Sequence, residues 1–244
     1  MPMDDRHQEV WLDQLPSLSR EFFERHHRPL VIVSYAQSLD GSIATRNREP
    51  LRLSCNQAMV LTHRIRAASD AIVIGINTLV VDNPQLTVRL IEGTNPQPIV
   101  LDSKLRIPLR ARLLERTDHR CWVACVDRSD PERIRVVESR GAEVIRCNGD
   151  LLGRVALPHL LHQLGERGIR SIMVEGGSQV ITSFFEARLV DQVIITIAPR
   201  LVGGLTVLSR HVVGDGSQLH LNPASYQSCG SDVILWGRPQ WQTQ

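Results

Sequence analysis

Two rhythms of hydrophobic residues divide the chain. Short apolar runs rich in β-branched residues recur at Leu30–Ala36, Ala71–Ile74, Pro98–Leu101, Cys121–Val126, Ala142–Cys147, Ser171–Val174 and Gln192–Ala198. Runs without a polar alternation read as strands buried on both faces, the habit of a parallel sheet. Between them apolar residues return every three or four positions. Asn56–Ala68 carries Ala58, Leu61, Ile65 and Ala68 on one side, with Asn56 as a candidate cap and Arg64 and Arg66 on other faces. Pro131–Arg140, Leu157–Arg167 and Val180–Leu189 repeat the helical spacing. Strands alternating with helices predict an α/β fold, three layers deep, with a mostly parallel central sheet. A turn at Asp40-Gly41 predicts a short strand after it. Asp232–Trp236 closes the sheet as an antiparallel edge, and the tail from Gly237 is expected to be mobile. Val10, Trp11, Leu15, Leu18, Phe22 and Phe23 form a rough helical stripe interrupted at Pro16. Residues 1–28 therefore read as a helical extension, packed on the surface or on a second subunit, and 29–244 as the domain proper.

Composition narrows the partners. With 244 residues, 42% hydrophobic and 22% charged, the chain can bury a sizeable core. A net charge of +2 with both signs interspersed makes no basic stripe, and four Trp, two Tyr and four Phe leave little for base stacking. Nucleic acid is not an expected partner. No apolar run approaches the roughly 20 residues of a membrane span. The N-terminus, M-P-M-D-D-R-H-Q-E, lacks the order of a signal peptide. Five cysteines cannot all pair, which together with that N-terminus predicts the cytoplasm. Cys121 and Cys125 fall on one strand face as small hydrophobes, and no H-x-E with P-C-x-x-C is present, so neither metal binding nor a zinc deaminase is expected. His26-His27 read as a helix end, and His159 and His162 as surface or satisfied polar residues.

The chemistry gathers at predicted strand ends. After Ala71–Gly75 come Thr78 and Asp82, four residues apart and so on one side of a helical turn, with Arg89 beyond the Asn83-Pro84 turn. In open α/β sheets such ends form the ligand crevice, and a hydroxyl, an acid and a guanidinium there suit a phosphorylated polar ligand. The same residues also fit a cap, an Asx turn and a solvated cation. After Pro98–Leu101, D-S-K-L-R makes an anion site suited to a 2′-phosphate on adenosine ribose. After Ser171–Val174, E-G-G-S-Q lets backbone N–H groups and a helix dipole approach a pyrophosphate. It lacks the G-x-G-x-x-G fingerprint and also fits a tight turn. Glu175 faces substrate donors more plausibly than a phosphate.

These motifs resemble the pyrimidine reductases of riboflavin biosynthesis, whose fold is similar to dihydrofolate reductase. The matching stretches are S-L-D-G at 38–41, I-R-A at 65–67, G-I-N-T-L-V-V-D-N-P-Q-L-T-V-R at 75–89, D-S-K-L-R-I-P at 102–108, V-E-G-G at 174–177, and L-V-D-Q-V followed by I-A-P-R-L-V-G-G at 189–204. The resemblance implies NADPH-dependent reduction of a ribosylaminopyrimidine 5′-phosphate to the ribitylamino compound, typically by a homodimer. It implies that Ala36, Thr78, Asp82, the loop Ser103, Lys104, Leu105 and Arg106, and the segment Gly176, Gly177, Ser178 and Gln179 through Ser183 hold NADPH. Ser34, Arg66, Leu86, Arg89 and Glu175 are implied substrate contacts. Ser34 replaces a lysine of the bacterial fused enzymes; a hydroxyl can donate or accept and would tolerate a C2 amino group as well as a carbonyl. Pro50 replaces a hydroxyl residue of some relatives and weakens one implied contact.

The expected chemistry is proximity and electrostatics, with Asp82 orienting the reactants and assisting ring opening as the catalytic residue. Arg66 and Arg89 are expected to clamp phosphate or sugar hydroxyls. A pterin or folate reductase and a non-catalytic NADP-binding module are the competing expectations.

Overall fold

The computed structural model describes residues 10–47, 49, 51–208 and 218–242, so the nonapeptide at the N-terminus and Pro50 lie outside the described residues. In chain order the elements are α1 (Val10–Asp13), α2 (Leu15–His26), β1 (Leu30–Ser38), β2 (Ser42–Ala44), α3 (Asn56–Ala67), β3 (Ala71–Gly75), α4 (Ile76–Asp82), β4 (Gln97–Leu101) and β5 (Cys121–Val126). There follow α5 (Pro131–Glu138), β6 (Ala142–Cys147), α6 (Leu157–Glu166), β7 (Ser171–Val174), α7 (Ser178–Glu186), β8 (Gln192–Ala198), β9 (Leu205–Thr206), β10 (Gln218–Cys229) and β11 (Asp232–Gln242).

Nine strands join in one sheet in the order β10-β11-β8-β1-β7-β3-β4-β5-β6. From β8 to β6 every neighbour is parallel, while β11 and β10 add antiparallel at the other edge. The apolar runs fill the parallel part because both faces are covered. On one face α6 and α7 pack Leu160, Leu161, Leu164, Ile181 and Phe184 against Val31, Val33, Val73, Ile172 and Val174. On the other, α3 packs Leu61 and Ile65 over Ile32 and Met173, and α5 packs Ile134 and Val137 beside Ile72, Ile74, Val100 and Val123. The expected three-layer α/β architecture is the observed one.

Several expectations are corrected. Residues from Gly237 onward continue β11 to Gln242 and pair with the 12-residue β10, which its mixed sequence Q-L-H-L-N-P-A-S-Y-Q-S-C conceals. Pro16 begins α2 instead of interrupting a helix, since a first-turn residue needs no N–H partner. Leu12 and Leu15 are buried in the same cluster as Ile32 and Ile234, so these helices complete the core of the sheet. The cap of α3 is Cys55, whose Sγ accepts from the Ala58 N–H.

Candidate active site

Parallel neighbours end together, so the chain leaving β3, β4, β5 and β7 emerges on one edge of the sheet. β3 sits beside β7, yet β3 connects outward to β4 and β7 connects across β1 to β8. That reversal opens a crevice at the strand ends, flanked by α4 on one face and α7 on the other.

Glycines let the two sides close on each other. A Cβ at Gly176 would lie 2.7 Å from the Ile74 Cα, and one at Gly75 would lie 2.7 Å from the Val180 Cγ2. Gly176 is therefore consumed by strand packing. Gly177 stays exposed at φ +57, and a Cβ there would lie 2.9 Å from the Thr78 Oγ1. Thr78 and the start of α7 thus frame a space that a side chain would fill. Asn77 bridges the flanks, donating to Gln179 Oε1 at 3.0 Å and accepting from Arg106 Nη2 at 3.1 Å.

Beside β7 lies a buried ion pair. Arg66, from the last turn of α3, donates through Nε and Nη2 to both oxygens of Glu175, each at 2.6 Å, and through Nη1 to the Thr87 carbonyl at 3.1 Å. Three of its five N–H groups are thereby engaged, so Arg66 holds Glu175 and the Thr87 carbonyl in place. Arg89 keeps its guanidinium exposed, while its N–H donates to His63 Nδ1 at 3.0 Å. Leu86 is 2% exposed at φ +53, in the core cluster with Leu79 and Leu105. Asp82 ends α4 exposed at the crevice rim, and the protein around it raises its carboxyl above the usual range by desolvation. Ser34 and Ala36 follow Ile32 on the same face of β1; Ser34 is buried.

The loop after β4 is held from below. Asp102 accepts from the Ile107 N–H at 2.7 Å, Ser103 Oγ from the Val155 N–H at 3.1 Å, and Arg133 donates to the carbonyls of Leu105 and Ile107, both at 2.8 Å. Leu105 is buried at φ +52, whereas Lys104 and Arg106 are exposed. A cavity of about 260 Å³ opens on this loop, lined by Ser103, Lys104, Arg128, Ser129, Arg133 and Asp130 among others. Arg128 and Ser129, from the turn after β5, escaped the sequence reading because that turn carries no recognisable motif.

The structure turns two other motifs into scaffold. Asp40 of S-L-D-G accepts from Ser38, Ser42 and the N–H groups of Val202 and Gly203, bonds that hold its carboxyl well below the usual range. They pin the 202–204 loop to the end of β1. Asp191 of L-V-D-Q-V accepts a two-pronged bond from Arg28 at 2.7 and 2.9 Å and the Val31 N–H.

The chain also matches a known family. Residues 29–235 fit the model of the RibD C-terminal domain. The chain belongs to that family. It is 39% identical over 187 residues to an Archaeoglobus fulgidus protein described as 2,5-diamino-6-ribosylamino-4(3H)-pyrimidinone 5′-phosphate reductase, covering 72% of this chain and 83% of that one. An Aquifex aeolicus protein with the same description is 35% identical over 216 residues, 85% of this chain and 95% of its own. Among solved structures, a Thermotoga maritima deaminase and 5-amino-6-(5-phosphoribosylamino)uracil reductase superposes with a TM-score of 0.71 at 27% identity, over 91% of this chain. The chain spans 60% of that bifunctional protein. Members of the family are reductases of riboflavin biosynthesis, in keeping with the motifs quoted above.

Proposed function

We propose that this chain is an NADPH-dependent reductase that converts the ribosylamino group of a 2,5-diamino-6-ribosylamino-4(3H)-pyrimidinone 5′-phosphate into a ribitylamino group. The carrying observation is the convergence at the β3/β7 switch of Thr78 with Gly177 and of Arg66 with Glu175. Two relatives of similar length bear the diamino name. Ser34 supports the diamino form, since a hydroxyl can accept from a C2 amino group. The uracil form is the second reading, favoured by the name of the fused Thermotoga enzyme.

The cradle fits a dinucleotide. Gly177 with Thr78 and the N-terminus of α7 would hold the pyrophosphate, and Ser103, Lys104 and Arg128 the adenosine phosphate. Bound NADPH supplies the hydride that reduces the sugar carbon C1′. The remaining work falls to protein groups. Glu175, fixed by Arg66, accepts from ring or amino N–H donors of the pyrimidine. Arg89 reaches the substrate's anionic end. Asp82, with its raised pKa, holds a proton more readily than an ordinary aspartate and can pass it to the sugar ring oxygen as the ring opens. A homodimer is supported by the long outer edge of β10, where Tyr226 is exposed, and a reducing cytoplasm by five unpaired cysteines.

The test is NADPH oxidation with each phosphoribosyl pyrimidine supplied separately. Oxidation with the diamino compound at a higher kcat/KM is expected. Binding of NADPH without oxidation by either compound would overturn the reading.

A further inference from the structure

The segment from Gln85 to Arg89 runs outside every helix and strand. Its backbone groups still need partners, and side chains provide them. Arg66 Nη1 donates to the Thr87 carbonyl at 3.1 Å, Asn95 Oδ1 accepts from the Val88 N–H at 2.7 Å, and His63 Nδ1 accepts from the Arg89 N–H at 3.0 Å. His63 and Arg66 stand three residues apart on α3 and therefore on one side of it. They offer an acceptor and a donor to residues two apart, which is the pattern a neighbouring strand would offer.

We propose that His63 is a positioning residue, whose neutral imidazole fixes the backbone of Arg89 and so aims the guanidinium at the anionic group of the substrate. The proposal rests on the reductase reading for what Arg89 binds.

Two observations favour a histidine with this task over a merely packed one. The ring is completely buried, and because Nδ1 accepts, Nε2 must carry the hydrogen; yet Nε2 has no hydrogen-bond partner. An apolar side chain would fill the space without stranding a donor, so the bond to Arg89 is what the imidazole adds. The charges around it also keep it neutral. Burial, Arg66 and Arg89 all oppose a second proton, only Glu175 favours one, and the ring is held down to about 4. Protonation at Nδ1 would replace the acceptor by a donor facing an N–H. With the folded value below the unfolded one, the contribution is complete above about 6.5 and is lost as pH falls through about 4.

His63→Leu removes the acceptor, and His63→Asn keeps one, its carboxamide oxygen standing near the place of Nδ1. His63→Leu is expected to raise the KM for the phosphorylated pyrimidine about tenfold while leaving kcat and the KM for NADPH within about threefold, and His63→Asn to recover most of the loss. A wild-type KM in His63→Leu would overturn the proposal, as would a folded His63→Asn no better than His63→Leu. If His63→Leu does not fold, the pH profile decides: the pyrimidine KM of the wild type should climb toward about pH 4 and that of His63→Asn should not. Coincident profiles would overturn it. A wild type that turns over neither pyrimidine would fault the reductase reading alone. The clamp is then read by hydrogen exchange at the Arg89 amide, which His63→Asn should leave slow and either His63→Leu or His63→Ala should speed about tenfold. Unchanged exchange in the apolar variants would overturn it.

Discussion

On the β7 side of the crevice the buried charges are already paired, whereas on the β4–β5 side cations stand open. Arg66 and Glu175 share two bonds of 2.6 Å with side chains only 10% and 15% exposed. Lys104 and Arg128, by contrast, are exposed and make no side-chain bond among the described residues, above a loop fixed by Asp102 and Arg133. The first arrangement has met its ordering cost during folding and presents a carboxylate of fixed direction, which under the proposed function would orient the pyrimidine. The second leaves its cations unpaired on a rigid loop, which under the proposed function would receive the phosphate of NADPH. Precision of placement and strength of attraction are thus assigned to different strand ends.

The largest expected effect lies between the two regions. Asp82→Asn should lower turnover about a hundredfold or more, leave the KM for NADPH nearly unchanged, and remove the limb of the pH profile on which the rate falls as pH rises. That limb sits above the ordinary aspartate range in the wild type because desolvation raises the Asp82 pKa. Steady-state rates across pH check this. Next, Glu175→Ala strands a buried guanidinium and should destabilise the fold by about 3 kcal/mol in denaturant unfolding. The corresponding change on the other side, Arg128→Ala, should leave stability unaltered. Gly177→Ala forces a side chain into a left-handed backbone and toward Thr78, and should weaken NADPH binding by about 2 kcal/mol in a titration. Smallest is Arg128→Ala itself, which should raise the KM for NADPH about fivefold and spare that for NADH, since only the former carries the extra phosphate.

The central strands were legible because burial on both faces writes itself as unbroken apolar runs, and the crevice followed from where those runs stop. Thr78 and Asp82 were legible through helical spacing. What escaped depends on distant pairing. Arg66 meets Glu175 across 109 positions, and nothing local distinguishes a guanidinium that clamps a ligand from one that clamps a neighbour. Gly176 and Gly177 look alike in sequence, yet one serves β3 and the other the crevice. Asp40 and Asp191 sit in recognisable motifs as acceptors for backbone N–H groups. β10 was hidden because an edge strand has few buried positions to mark it, and His63 because its role lies in a bond to a loop 26 residues away.

The division of the crevice is tested most directly by measuring both Michaelis constants in Glu175→Gln and in Arg128→Ala. The first should raise the pyrimidine KM about tenfold with NADPH unaffected, and the second should do the reverse. Movement of both constants together in either variant would contradict the account.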